Sequence, residues 1–282
     1  MLIKRNLMLF FRDKTNVFFS LLAVFIIIGL YVLFLGSIME NALQADLGLS
    51  SDRIGIAASS LMLGGIIAVT SVTSCLGAMA ICIADKERAA KDFFTSPISR
   101  KKITFSYIMG SGIVGLIMTL FALVLCLTYI VAKGGNIPNP TDSALLLVTS
   151  VLSVLCANAM IFFLTSFSKS QNAFSAFSSV VGALIGFLMG VYIPIGQLPE
   201  AVQWIIKLFP MSHAASMYRQ LLADGELSAL FAYAPAETLE GFRQFFGVVF
   251  AYEDFVSGFW FSALWLVAAT AIFYGLSLFV MD

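Results

Sequence analysis

The chain has 282 residues, of which 60% are hydrophobic and 11% charged, with a mean hydropathy of +0.97 and a formal net charge of zero. That balance excludes a soluble globular domain and describes a polytopic membrane protein of all-α class. The zero net charge gives no electrostatic case for nucleic acid as a partner.

Residues 1–16 combine Leu2, Ile3, Leu7, Phe10 and Phe11 with Lys4, Arg5, Arg12, Asp13 and Lys14. The mixture suits an amphipathic helix lying in the headgroup plane and leading into the first span. A plain positively charged anchor fits the composition equally well. No signal-peptide cleavage pattern is present, so the first apolar segment is expected to stay in place.

Six apolar segments follow at about 17–39, 59–83, 104–132, 143–167, 173–193 and 258–280. Each is near the ~20 residues that a spanning helix needs. The third is long enough to tilt or to project beyond the membrane. The whole chain, 1–282, reads as a single transmembrane domain with six spanning helices. Polar segments at 40–58, 84–103, 133–142, 168–172 and 194–257 separate them. The four cysteines, Cys75, Cys82, Cys126 and Cys156, all lie inside apolar segments. They read there as small buried residues and not as a disulfide or zinc framework.

The segment 84–103 is an island of charge between two long apolar runs. Asp85 is placed to cap a helix, and Glu87–Lys91 and Arg88–Asp92 are i,i+4 pairs of opposite charge. Pro97 disfavours helix at Ser96. Asp85 to Thr95 would then form a helix of roughly 16 Å, too short to span. It would lie across the membrane surface with Phe93 and Phe94 as an apolar end. Charged loops between spans are ordinarily just solvated. The combination of cap, ion pairs, aromatic end, proline stop and basic cluster suits docking onto another protein.

The fifth segment contains Gly182-x-x-x-Gly186-x-x-x-Gly190, a stripe of small residues on which another helix can approach closely, within the chain or across a subunit interface. Beyond it, 194–257 holds Pro194 and Pro199, a short apolar-faced run to Phe209, a break at Pro210, and then His213 and Arg219. These runs are expected to be too short to span and too apolar for a solvated loop. Short re-entrant or interfacial helices, with their backbone shielded by protein, fit best. Phe242 to Phe250 reads as a further interfacial run.

Lys and Arg set the orientation. With the N-terminus inside, the cytoplasmic side carries Lys4, Arg5, Arg12, Lys14, Lys86, Arg88, Lys91, Arg100, Lys101, Lys102 and Lys169, the majority of the 16 basic residues. Both termini are therefore expected to be cytoplasmic, in the cell membrane.

The sequence contains no G-x-x-x-x-G-K-[ST] loop, no H-E-x-x-H and no G-x-S-x-G. His213 is the single histidine, and a structural hydrogen bond is the expected role for it. No metal site is expected. No Asp, Glu, Lys or Arg lies clearly within a predicted span, which weighs against an ion-coupled transporter working alone. The energy source should be a partner.

Taken together, these features resemble the membrane subunit of a type-2 ATP-binding-cassette (ABC) exporter along essentially the whole chain. The resemblance rests on Arg12-Asp13 before the first span and on Asp85-Lys86-Glu87-Arg88 with Thr95-Ser96-Pro97-Ile98-Ser99-Arg100. It rests also on Pro194 to Pro199, Pro210-Met211-Ser212-His213 and Tyr218-Arg219. Where many members have Gly-Thr in the charged island, this chain has Ala89-Ala90. The resemblance implies a coupling helix at 85–96 seated in a separate ATPase subunit, with residues 1–16 flanking the same partner. Asp85, Glu87, Arg88, Asp92, Phe93, Phe94, Arg12 and Asp13 would form that contact. It further implies a second permease subunit, identical or not, and short outer-leaflet helices after the fifth span. ATP and Mg would be bound by the ATPase and no cofactor by this chain, which is not itself an enzyme. The apolar spans suit an amphipathic or lipid-like substrate such as a drug, a peptide or a lipid-linked glycan. From other classes, a channel, a sensing or immunity partner, and an intramembrane enzyme stay as alternatives. Convergent polar residues in the spans, which the last would need, are lacking.

Overall fold

The computed structural model describes residues 2–30, 52–88, 98–168, 170–233, 235–253 and 255–281. Its helices are α1 (Leu2–Arg12), α2 (Lys14–Leu30), α3 (Asp52–Arg88), α4 (Arg100–Ala132), α5 (Pro140–Thr165) and α6 (Gln171–Leu188). After a 3₁₀ turn at Ile195–Gln197 come α7 (Glu200–Leu208), α8 (Pro210–Leu230) and α9 (Ala236–Phe245). A small antiparallel hairpin, β1 (Ala251–Tyr252) with β2 (Phe255–Val256), leads into α10 (Phe259–Met281). Five described helices, α3, α4, α5, α6 and α10, are long and apolar enough to cross a membrane. The expected first span, 17–39, is covered as far as Leu30 by α2, and its remainder lies outside the described residues.

Helix α3 is the axis of the molecule. At 37 residues it is about 55 Å long. It is buried along most of that length, from Ile54 to Ile83. Helices α2, α4, α5, α6 and α8 all pack against it. Small side chains make this possible: without a hydrophobic force between helices in lipid, close backbone approach is what binds them. A Cβ at Gly115 of α4 would lie 3.2 Å from Val154 and would also crowd Cys75. A Cβ at Gly64 would lie 2.9 Å from the Arg219 backbone nitrogen of α8.

Several polar side chains inside the bundle find partners on neighbouring helices or on their own backbone, as hydrocarbon favours. Ser111 donates to Asn158 Oδ1 at 2.7 Å, and Asn158 Nδ2 donates to the Ile108 carbonyl at 2.8 Å, joining α4 to α5. Tyr218 of α8 donates to Ser150 Oγ of α5 at 3.0 Å, with Ser153 at 3.2 Å. Thr70 and Ser71 return their hydroxyls to the α3 carbonyls of Ile66 and Ala68.

Local signals explain the element starts. Pro140 opens α5 behind Asn139, whose side chain accepts from the Asp142 nitrogen at 2.8 Å. Ser170 caps α6 through the Ala173 nitrogen.

Three expectations need correction. Helix α3 begins at Asp52 and runs through Arg88, so it is longer at both ends than the 59–83 segment. Polar residues extend it because both ends are held by packing and pairing rather than by lipid. The run after Pro210 is not short: α8 has 21 residues, or about 31 Å. Asp224 and Glu226 interrupt the apolar pattern, but Arg243 of α9 pairs with Asp224 and the helix continues to Leu230. The break at Pro210 is present: α7 ends at Leu208, Phe209 is extended before the proline, and Pro210 is the first residue of α8, where its missing N–H costs nothing. Finally, the run from Phe242 to Phe250 divides between the end of α9, a turn at Gly247 and the approach to the hairpin.

Candidate functional site

Two groups of polar residues pack on α3, one at its C-terminal end around Asp85 and one along its N-terminal half around Arg219. At one end, Asp85 accepts from Arg5 Nη1 at 2.7 Å and Nη2 at 3.1 Å, a bidentate pair, and from the Tyr107 hydroxyl at 2.6 Å. One carboxylate thereby ties α1, α3 and α4 together. Its hydrogen bonds raise the Arg5 guanidinium further above its ordinary pKa. Next to this cluster, Asn6 of α1 is buried and donates to the Ser106 carbonyl at 3.2 Å. It packs over Gly110, where a Cβ would lie 3.2 Å from its own. Phe10 is fully buried, whereas Met8, Leu9 and Phe11 face outward.

Asp85 is therefore not a helix cap. The helix that starts at Asp52 runs through it, and its carboxylate is used by α1 and α4. Glu87 also has a partner other than Lys91: its Oε1 accepts from the Gln171 backbone nitrogen at 2.6 Å. Gln171 opens α6, so a negative charge sits at the positive end of that helix. Arg88 closes α3. Arg12 closes α1, and both it and Asp13 are exposed. The Arg88 side chain, Asp92, Phe93, Phe94 and the remainder of 89–97 lie outside the described residues.

Along the N-terminal half of α3 the dominant residue is Arg219 of α8, 1% exposed. Its Nε donates to the Leu61 carbonyl at 3.0 Å, Nη1 to Gly247 at 3.3 Å, and Nη2 to Met189 at 2.6 Å and Gly190 at 2.9 Å. Four glycines surround it. A Cβ at Gly65 would lie 2.8 Å from Nη2, one at Gly247 3.2 Å from Nη1, one at Gly190 3.5 Å from Nη2, and Gly64 abuts its backbone. Gly190 and Gly247 also have φ of +60° and +66°, a region that glycine reaches without strain.

The three glycines of the expected stripe do different things. Gly182 is open, with no atom near a would-be Cβ. Gly186 is covered by the chain's own Tyr192 ring. Gly190 has already left the helix, which ends at Leu188. Only the Gly182 level therefore offers the flat surface that the spacing suggested.

His213 is buried among Phe250, Phe261 and Trp265, with ring centroids at 5.0, 5.9 and 5.5 Å. Its Nε2 lies 3.0 Å from the Lys207 carbonyl. A carbonyl can only accept, so Nε2 carries the proton and Nδ1 accepts from Ser262 at 3.1 Å. The Tyr252 hydroxyl shares the Lys207 carbonyl at 2.9 Å. Pro194 and Pro199 precede the 3₁₀ turn and α7, their carbonyls accepting from Gln197 at 3.1 Å and Val202 at 2.8 Å.

Arg5, Tyr107, Gly64, Gly65, Gly247 and Tyr252 were not singled out by the sequence as site residues. Arg5 carried a signal only as one of several basic residues on an amphipathic run. The Gly64-Gly65 pair in the middle of an apolar span was the one local sign of a close approach.

The model of the ABC-2 family transporter protein matches residues 54–279. No curated protein matches the chain. The matched stretch runs from the first turn of α3 to near the end of α10 and takes in the Arg219 cradle and the His213 contacts. This multi-pass, all-α membrane protein belongs to the ABC-2 transporter family, as an ABC transporter permease subunit whose family implies an ABC ATPase partner.

Proposed function

We propose that the chain is the permease of an ATP-driven exporter and receives its energy where the Asp85 cluster meets the segment that follows Glu87. The observation that carries this reading is the convergence of α1, α3, α4 and α6 at one place. Arg5 and Tyr107 hold Asp85, and Glu87 holds the start of α6. A push applied just beyond Arg88 would reach four elements at once. In this reading that end, with both termini, faces the cytoplasm of the cell. Residues 85–96 form the docking element, with Glu87, Arg88 and Asp92 as polar contacts and Phe93 and Phe94 as the apolar one. Arg12 and Asp13 are exposed at the end of α1 and flank the same ATPase.

The ATPase holds ATP and Mg, and no metal or cofactor is assigned to this chain. A second permease subunit, identical or not, completes the path. Helix α6 leans mainly on α3, and Val180, Leu184 and Phe187 remain exposed on it beside the open Gly182. That face is the place assigned to the second subunit. The exposed apolar faces of α4 and α10, with Phe105, Phe121, Trp260 and Leu264, suit lipid contact and an amphipathic or lipid-like cargo.

The test is Phe93→Cys in the complex with the ATPase, in lipid nanodiscs. The native cysteines, Cys75, Cys82, Cys126 and Cys156, are buried and do not compete for a crosslinker. A specific crosslink to the ATPase that changes with nucleotide is expected. A Cys at 93 that never reaches the ATPase sinks the docking model.

A further inference from the structure

Arg219 is a full positive charge in the interior of a membrane protein, and no described carboxylate pairs with it. Burying a charge is costly, and an uncharged side chain of similar length would fill the same space without that cost. What a neutral side chain cannot do is bind four carbonyl oxygens at once. Leu61 is in the body of α3, Met189 and Gly190 form the turn that ends α6, and Gly247 belongs to the turn after α9. The carbonyls at the end of α6 are also the negative end of its dipole, which favours a cation there.

The glycines around the guanidinium show that the chain is built to admit it. Side chains at Gly64 and Gly65 would push into Arg219, and the Gly190 and Gly247 turns aim their carbonyls at it through left-handed backbone. Ser216, one turn earlier on α8, adds a bond to the Val248 carbonyl, and Gln220 Nε2 adds another to the same oxygen. The N-terminal half of α3 is thus fastened to α6, α8 and the 247–248 turn together. The C-terminal end is fastened to α1 and α4 through Asp85. From Asp52 to Arg88 the helix is one unbroken element without a proline, and Arg219 packs over its Gly64-Gly65 pair.

We propose that Arg219 is a positioning residue for transport: it converts movement of α3, received at the Asp85 end, into movement of the 189–250 segment held against the N-terminal half of that helix. This rests on the docking reading above. The guanidinium fork is essential because one ammonium group cannot reach carbonyls on three separate elements.

Hydrogen exchange on the permease–ATPase complex in nanodiscs tests this, comparing the nucleotide-free state with ATP plus vanadate. In the native protein, peptides covering 83–88 and 100–103 and peptides covering 189–250 are all expected to change with nucleotide. In Arg219→Met the response at 83–88 and 100–103 should persist while that at 189–250 is lost. Arg219→Lys, which keeps the charge, should show the same loss and serves as the deciding variant if Arg219→Met does not assemble by size exclusion. A merely structural arginine would raise exchange at 189–250 equally in both nucleotide states and leave the difference between them intact, which would overturn the proposal. So would a native 189–250 segment that ignores nucleotide. If instead 83–88 and 100–103 fail to respond in the native complex, the docking reading is the one that fails.

Discussion

Asp85 shows at the smallest scale how a residue's sequence context can point to the wrong chemistry. Flanked by charge at the edge of an apolar run, it looks like a helix cap, yet its partners, Arg5 and Tyr107, lie 80 and 22 positions away. No local pattern encodes such pairs. The cluster is partly solvated, with 38% of the Arg5 side chain exposed against 15% of Asp85, so its contribution is smaller than a buried pair's. Asp85→Ala should cost about 1–2 kcal/mol, because it strands the Tyr107 hydroxyl and half-releases α1. The double variant Arg5→Ala with Asp85→Ala should cost less than the sum of the two single changes, measured by thermal unfolding of the complex. Additive costs would mean that the pair carries no coupling. The glycines give a second residue-scale contrast. Gly182→Ala faces open space and gains helix propensity, so it should be neutral or stabilising by up to ~1 kcal/mol. Gly186→Ala must displace the Tyr192 ring and should be destabilising; equal melting temperatures for the two would refute this packing.

Among the elements, the spanning helices were legible because hydropathy over some twenty residues is a strong, one-dimensional signal. Helix α8 was not. Its first half, from Met211 to Arg219, is buried, whereas its second half carries Asp224, Gly225 and Glu226, which weaken an apolar helical pattern. The helix persists because α9 supplies Arg243 to Asp224 and Phe242 to Phe231. Arg243→Ala should therefore fray α8 from its C-terminal end. Amide exchange over 223–230 would rise while that over 211–219 stays protected. Uniform protection along α8 would show that the helix needs no such brace. The turn at Gly247 escaped notice for the same reason: its carbonyl and that of Val248 serve Arg219 and Ser216 on another helix.

For the molecule as a whole, class and family were readable from motifs whose order along the chain matters more than any one of them, and the match over 54–279 agrees. The Arg219 cradle was not readable, since its four carbonyls come from residues 158, 30, 29 and 28 positions distant. The arginine stood out only as part of a dipeptide. The nucleotide-sensitive crosslink from Phe93 remains the measurement for the assembled transporter, because it reads the junction between two proteins rather than a property of either.

The separation between Leu61 and Arg219 also has a consequence in time. At ~5–20 residues per second, a ribosome needs about 8–30 s to make the 158 residues between them. Until that interval ends, the Leu61 carbonyl has no guanidinium to accept from, and Met189, Gly190 and Gly247, which complete the cradle, are themselves made long after α3. Its Gly64-Gly65 notch and its self-bonded hydroxyls let it wait as a lone helix, with few side chains demanding a neighbour. The axis of the finished protein is synthesised well before the arginine that secures it.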